Sequence, residues 1–375
     1  MEIQRKSRII LMFENYLHSE KTIETYSVHI ELFRRHYDLP SWDAILSLDT
    51  RDFKEKMEDY VILLKNQKKS NTYIRNITFG LQSLFESNDR EDINWKKIRR
   101  LAGERTRPRE TRPYTTEEIK RMLSVTKSLR NKALILFFSS SGVRRGAIPL
   151  MKLKDLKQMS HGCLSVTVYP NTNEQYTTFI NKEASESLSH YHDARKRDGE
   201  TLTSNSLVFG SAFGSKIGEP ISVATISLLL RRTKHLAGID IEDIPNLLVH
   251  AFRRRFNTVL KLKDNANPTI IERLMGHDQK LDNSYFQPTL EQLFVEYQKG
   301  MSDLTIDNSE RLLVEKKIMQ ESLAEYEKKD IKIQEQQMQI DILAKNLDEI
   351  STVLGTGKGI LREKRGQEYH ITLKS

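Results

Sequence analysis

The sequence predicts a mainly α-helical protein with a small antiparallel β-hairpin or sheet. Three observations lead to this prediction. Apolar residues recur at helical spacing through most of the chain. One pair of short alternating segments fits two strands around a polar turn. An unbroken seven-residue apolar repeat near the C-terminus is typical of a coiled coil. The 375 residues are enough for two or three domains.

The first predicted domain covers residues 1–100 and is all-helical. Segments 21–37 and 70–87 each place four apolar residues on one helical face. A basic linker, residues 101–113, is predicted to follow, within a stretch (96–112) that holds eight basic and two acidic residues. Two interpretations of this stretch stay open: a solvated linker, or a segment that lies along a phosphate backbone.

The second predicted domain covers residues 114–300 and is mostly helical. Residues 115–118 fit a capping box that begins a helix. Segments 163–170 and 175–181 alternate as two strands around a polar turn. Segment 267–277 is predicted to be a short helix, with an asparagine cap, a proline at the first position and a glycine at the end.

A coiled coil is predicted over residues 303–355, followed by a basic tail, 356–375. Apolar or aromatic residues recur every seven positions from Leu312 to Leu354, which favours supercoiling with another helix. The companion positions four residues later are mostly polar, so we expect a weak coil or one with a different partner protein. The alternative is a long helix that lies on its own domain.

Composition limits the class of protein. The net charge of +9 favours a polyanionic partner, and because residues 301–350 carry a net charge of −5, the basic surface must lie elsewhere. Cys163 is the single cysteine, which excludes an intrachain disulfide and indicates a reducing, cytoplasmic environment. No apolar run is long enough to span a membrane, and the N-terminus does not have the pattern of a signal peptide.

Four local patterns carry candidate chemistry. "SGVRRGAI" (141–148) contains Arg144, "HAFRRR" (250–255) contains His250 and Arg253, "LMGH" (274–277) ends at His277, and Tyr285 follows. Each alone has an ordinary explanation: a surface charge, a half-buried histidine, a histidine at a helix end, or a core tyrosine.

Together these residues suit attack on a phosphodiester. Two guanidinium groups can hold the non-bridging oxygens and offset charge in the transition state. A phenol is a poor nucleophile at its usual pKa near 10, so it needs a base, which a histidine can supply. Such a site requires neither a metal ion nor a cofactor, and the sequence shows no convincing carboxylate cluster for two-metal catalysis.

The ordered set S-G-V-R, H-x-x-R, L-M-G-H and Tyr resembles the tyrosine recombinases, the phage-integrase and Xer class. The resemblance covers residue 8 to about residue 300, and the stretch from 282 onward also resembles integrases of archaeal mobile elements. It implies that Arg144 and Arg253 clamp the scissile phosphate, His250 transfers a proton, His277 hydrogen-bonds the phosphate, and Tyr285 forms a 3′-phosphotyrosyl bond.

The same resemblance implies the fold and the partners. The fold would be a helical core-binding domain followed by a mixed catalytic domain. The partner would be double-stranded DNA with inverted-repeat recombination sites, bound by a homo-oligomer that becomes a tetramer in the synaptic complex. Whether the coiled coil joins protomers or binds another protein stays open.

The sequence departs from the family pattern in three places. Ala147 stands where the family usually has an acidic residue. Phe286 stands where the nucleophile usually falls, so Tyr285 is one residue early. Asn171 stands where the lysine of the strand–turn–strand hairpin would align. That lysine is the family's general acid, and Lys182, at the end of the second strand, is the nearest ammonium that could replace it.

The sequence therefore predicts a site-specific DNA recombinase that integrates or excises a mobile element. Three alternatives stay open: a non-catalytic DNA-binding protein of the same fold, a type IB-like topoisomerase, and a coiled-coil scaffold whose basic part docks on DNA.

Overall fold

The computed structural model describes residues 7–103, 112–211, 218–239, 248–277, 286–353, 360–365 and 368–373. Within these residues the chain forms two compact units, Met1–Glu110 and Thr111–Ser375. It is mostly helical, with a small three-stranded antiparallel sheet, as predicted, and a separate two-stranded hairpin near the C-terminus. None of the described helices combines the length and apolar character needed to span a bilayer.

The first unit is a bundle of short helices around an aromatic core. The side chain of a serine, aspartate or asparagine caps the first turn of every helix after α1. The predicted helices over 21–37 and 70–87 are confirmed as α2 and α5. They pack closely because Gly80 has no side chain: a Cβ there would lie 3.3 Å from the Cβ of Tyr26. The helices are α1 (Arg8–Tyr16), α2 (Glu20–His36), α3 (Trp42–Ser47), α4 (Thr50–Asn66), α5 (Asn71–Glu86) and α6 (Trp95–Leu101).

The second unit places helices around a three-stranded sheet. The predicted capping box is present, with the side chains of Thr115 and Glu118 each bonded to the other's backbone N–H. The elements are α7 (Thr116–Ser124), α8 (Leu129–Ser141), β1 (Leu156–Gln158), β2 (Leu164–Val168), β3 (Tyr176–Ile180), α9 (Lys182–Arg197), α10 (Val223–Leu236), α11 (Leu248–Lys261), α12 (Pro268–Leu274), α13 (Leu290–Leu304) and α14 (Asn308–Val353).

The sheet has the order β1-β2-β3, with antiparallel neighbours. β2 and β3 are the predicted pair, in a register that joins Leu164 to Ile180 and Val168 to Tyr176. β1 was not predicted, because three residues are too few to show a periodicity. The register leaves the turn, residues 169–175, at the end of the sheet where Tyr176 begins β3.

Helix α14 is fixed at its base and exposed beyond it. The backbone N–H groups of Ile306 and Asp307 donate to the Glu183 carboxylate at 2.8 and 3.1 Å. Farther along, the apolar side chains of the seven-residue stripe are 47 to 71% exposed from Leu312 to Leu347. The alternative of a helix that packs along its own domain therefore does not agree with the structure.

The predicted basic tail, residues 356–375, contains a two-stranded hairpin that was not predicted from the sequence. Strands β4 (Ile360–Arg365) and β5 (Glu368–Leu373) are antiparallel. Because basic and apolar residues are mixed along these strands, their sequence shows no clear alternation of apolar and polar residues.

Candidate active site

The S-G-V-R motif places Arg144 directly after the end of α8. The helix stops at Gly142, which has a left-handed φ of +61°. A Cβ at this position would lie 2.7 Å from the ring of Phe256, so both the conformation and the contact require glycine. The chain then passes buried Val143 and brings Arg144 to the first turn of a 3₁₀ segment, Arg145–Leu150.

Both candidate arginines are held by backbone carbonyl groups. The Arg144 guanidinium donates through both terminal nitrogens to the carbonyl oxygen of Gly276, at 3.3 and 3.2 Å. Arg253 is buried and donates to the carbonyl oxygen of Gly142 at 2.8 Å and also to that of Met275. The structure thus brings the two arginines to one place from α11 and the end of α8.

His250 lies on α11 one turn before Arg253, on the exposed side of the helix. Partial burial lowers the pKa of His250, and the guanidinium groups of Arg253, Arg145 and Arg144 lower it further. An imidazole in this surrounding is held neutral, which is the form that can accept a proton.

His277 follows the end of α12, and its Nδ1 contacts the carboxylate of Glu272. Burial alone would raise the pKa of Glu272, but hydrogen bonds from Lys261 and His277 outweigh it and lower that pKa. Glu272 therefore stays ionised and fixes the histidine ring through Nδ1, which leaves Nε2 to face a substrate.

An open cleft of about 960 Å³ lies beside Arg144 and His277, and its lining also includes residues 173–175 of the turn after β2. Tyr176 lies in its wall, with a buried hydroxyl that has no hydrogen-bond partner among the described residues. Its ring fills the space beside Gly276, where a Cβ would lie 2.3 Å from the ring. Burial raises the pKa of Tyr176, whereas Arg253 and Arg144 oppose that rise.

Tyr285, the predicted nucleophile, lies outside the described residues, which resume at Phe286. Arg273 donates to the Phe286 carbonyl oxygen and its guanidinium stacks 5.5 Å from the centre of the Phe286 ring. The next tyrosine, Tyr297, is fully buried and cannot reach a DNA phosphate in this fold.

The structure argues against Lys182 as the acid. Lys182 begins α9 beyond the far end of β3, about 20 Å along the strand from the start of β3 at the cleft. Its ammonium group pairs with Glu310 at 3.0 Å and with Glu186 at 3.5 Å. Asn171 does lie in the turn, where it is exposed and left-handed with a φ of +62°.

Ala147, at the position of the family's acidic residue, is buried in the core of the unit. Sequence reasoning also missed two groups that the fold adds to the site. Glu272 carried a usable signal, because it lies five residues before His277 on a helix that ends there. Tyr176 carried no such signal, since an aromatic residue that begins a strand usually belongs to the hydrophobic core.

Comparisons with known proteins agree with this architecture. The sequence profile described as "Phage integrase family" matches residues 113–286. No curated protein matches the chain in sequence. Solved structures with a similar fold include XerH site-specific recombinase bound to difH substrate, at a TM-score of 0.53 and 18% identity, which covers 70% of this chain and 75% of that one.

Two lambda integrase structures are similar in fold as well. The 75–356 fragment, a dimer bound to a COC′ core site, has a TM-score of 0.52 and 18% identity, and covers 75% of this chain and 96% of that one. The tetramer bound to a Holliday junction has a TM-score of 0.51 and 16% identity, and covers 75% of each chain. Residues 113–286, which carry the candidate site, thus match the phage integrase family, and the fold is that of solved site-specific recombinases and integrases.

Proposed function

We propose that this recombinase cleaves DNA through a 3′-phosphotyrosyl bond to Tyr285. The observation that carries the proposal is the convergence of Arg144 and Arg253 on carbonyl groups at one edge of the cleft. Two fixed cations at that edge suit a phosphate, whose non-bridging oxygens each accept hydrogen bonds. His277 lies beside the same carbonyls and would donate from Nε2 to the phosphate.

In the proposed reaction the Tyr285 oxygen attacks phosphorus and the bond to the 5′-oxygen breaks. Neutral His250 accepts the phenolic proton, which agrees with its lowered pKa. The two arginines offset the charge that builds on the phosphate oxygens. The phosphotyrosyl bond conserves the energy of the broken bond, so a second strand can be joined without a nucleotide cofactor.

The proposed target is a pair of inverted half-sites in double-stranded DNA, and the task is integration or excision of a mobile element. We propose a tetramer for the synaptic complex, as in the lambda integrase tetramer on a Holliday junction. The basic material before residue 300 supports a DNA surface there, since residues 301–350 are acidic overall.

We further propose that the exposed stripe of α14 pairs with α14 of a second protomer. At about 1.5 Å per residue, the helix is about 69 Å long, enough for several heptads. In its C-terminal half Leu343 and Ile350 follow Ile340 and Leu347 by three residues, and all four are exposed. Leu343 and Ile350 therefore give each of these two heptads a second apolar position. The sequence prediction considered only the positions four residues after the stripe, which are mostly polar.

A nicked suicide duplex tests the catalytic proposal. Wild-type protein should accumulate a covalent adduct, and Tyr285→Phe should bind the duplex without forming one. Tyr326→Phe is the matched control, since Tyr326 is exposed on α14 and should form the adduct normally. An adduct on Tyr285→Phe would refute the nucleophile. Covalent protein that never joins two labelled duplexes would indicate a topoisomerase, and no adduct with wild type would indicate a DNA-binding protein only.

A further inference from the structure

Strand cleavage expels a 5′-oxygen, a poor leaving group that needs a proton. The turn after β2, residues 169–175, contains no lysine, and Lys182 is engaged with Glu310 beyond the opposite end of β3. Asn171 and Asn173 cannot act as acids at neutral pH. A side chain near the two arginines is therefore the candidate for the group that protonates the leaving oxygen.

Tyr169 is the residue of this turn that the fold directs toward the arginines. It follows β2 and has a left-handed φ of +51°, a conformation that is sparsely populated for a bulky side chain. The conformation is fixed locally, because Thr172 donates from its backbone and its hydroxyl to the Tyr169 carbonyl oxygen, at 3.3 and 2.8 Å. Strain of this kind is typical of residues held in place for a functional reason.

The Tyr169 hydroxyl lies beside the start of the 3₁₀ segment that carries Arg144. It is 3.4 Å from the point where a Cβ of Gly146 would lie, so the absence of a side chain at that residue leaves the hydroxyl open. The ring is half-buried against Tyr176, with 6.4 Å between ring centres. No described residue forms a hydrogen bond with this hydroxyl, which is therefore available to a substrate.

The charges around Tyr169 suit an acid that must be protonated before cleavage. Burial raises the pKa of the Tyr169 phenol and Tyr176 raises it further, so the proton is present at neutral pH. Arg144 and Arg253 act in the opposite direction and would stabilise the phenolate once the proton has left. Tyr176 is less suitable, because its hydroxyl is buried and has no hydrogen-bond partner among the described residues, so it does not face DNA.

We propose that Tyr169 is a catalytic residue that donates its phenolic proton to the leaving 5′-oxygen. This inference rests on the proposed function. As the Tyr285 oxygen bonds to phosphorus, the bond from phosphorus to the 5′-oxygen breaks, and the Tyr169 proton moves to that oxygen. His250 receives the proton of Tyr285, and the Tyr169 phenolate faces Arg144 until the reverse reaction returns its proton.

The test compares two suicide substrates, one ordinary and one whose bridging 5′-oxygen is replaced by sulfur, which leaves without a proton. Tyr169→Phe keeps the ring and removes only the hydroxyl. Its single-turnover cleavage of ordinary DNA should fall by about a hundred- to ten-thousand-fold, the range for general-acid help. On the sulfur substrate its rate should lie within a few-fold of wild type. Lys182→Ala serves as the control and should cleave both substrates at the wild-type rate.

Each other outcome has a definite meaning. If Tyr169→Phe cleaves ordinary DNA at the wild-type rate, Tyr169 is not the general acid and the proposal is overturned. An equal loss on both substrates, with an unchanged melting temperature, assigns the hydroxyl to binding rather than to proton donation and also overturns it. Rescue by sulfur of a Lys182→Ala defect would move the role to Lys182. Failure of wild type on both substrates would instead reject the proposed function itself.

Discussion

Replacing Gly276 with alanine tests how the site is assembled. Gly276 has a φ of +60°, and a Cβ there would lie 2.3 Å from the Tyr176 ring. The left-handed conformation costs alanine about 1–2 kcal/mol, and forcing a methyl group against a buried ring costs roughly 1–3 kcal/mol more. We therefore expect Gly276→Ala to lower the free energy of unfolding of the second unit by about 2–5 kcal/mol.

Gly199→Ala is the matched control, because Gly199 also follows a helix and has a φ of +92°, but no atom lies within 4 Å of its Cβ position. Gly199→Ala should lower the free energy of unfolding only by the cost of the left-handed conformation, about 1–2 kcal/mol. Guanidinium unfolding should be followed by circular dichroism and by hydrogen exchange in α11. Tryptophan fluorescence provides an internal control, since Trp42 and Trp95 both lie in the first unit.

If Gly276→Ala and Gly199→Ala destabilise the protein equally, the Tyr176 ring gives way freely and does not define the wall of the cleft. If the steric account is right, Gly276→Ala should also slow cleavage of DNA by the folded protein. The reason is that the carbonyl oxygen that Arg144 contacts belongs to Gly276 and would move with it.

Three further predictions concern the base, the coil and the linker. The cleavage rate should stay level above the lowered pKa of His250 and fall as the pH drops through it; a pH–rate profile with no acid limb would contradict this base. Removing residues 318–375 should reduce multimer mass in light scattering but preserve cleavage, and an unchanged mass would argue against self-association. A cut at residue 303 would be unsuitable, because Leu304 and Ile306 are buried. Neutralising arginines in 96–112 should make the slope of log affinity against log salt shallower by about 0.9 per lost phosphate contact, whereas an unchanged slope would indicate a plain solvated linker.

The sequence predicted the elements whose ends have chemical markers. Asn267 caps α12 through the backbone N–H groups of Thr269 and Ile270, as its position before Pro268 indicated. Periodicity predicted α2 and α5 to within one residue at each end. These features are local, so a short window of sequence contains all the information they need.

Features that depend on distant segments could not be predicted in this way. Lys182 is near the hairpin in sequence, yet an extended strand carries it to the far end of the sheet, where Glu310 from α14 pairs with it. Tyr169 and Tyr176 resemble ordinary strand-end aromatics until the fold brings Arg144, which follows α8, and Arg253 of α11 near them. Proximity in sequence was a poor guide to proximity in space for the acid, because a strand separates its ends more than a helix of equal length does.

The two carbonyl groups that Arg253 contacts belong to helix ends, where the last carbonyls have no partner within the helix. One guanidinium therefore completes the ends of both α8 and α12, and the partial negative charge there favours a cation. Immobilising an arginine side chain costs on the order of 2 kcal/mol of rotamer entropy. Because the side chain is already fixed in the folded protein, DNA binding does not have to overcome this entropy loss. Two of the five N–H donors of Arg253 are engaged by carbonyl oxygens, so the guanidinium group is already oriented before a phosphate arrives.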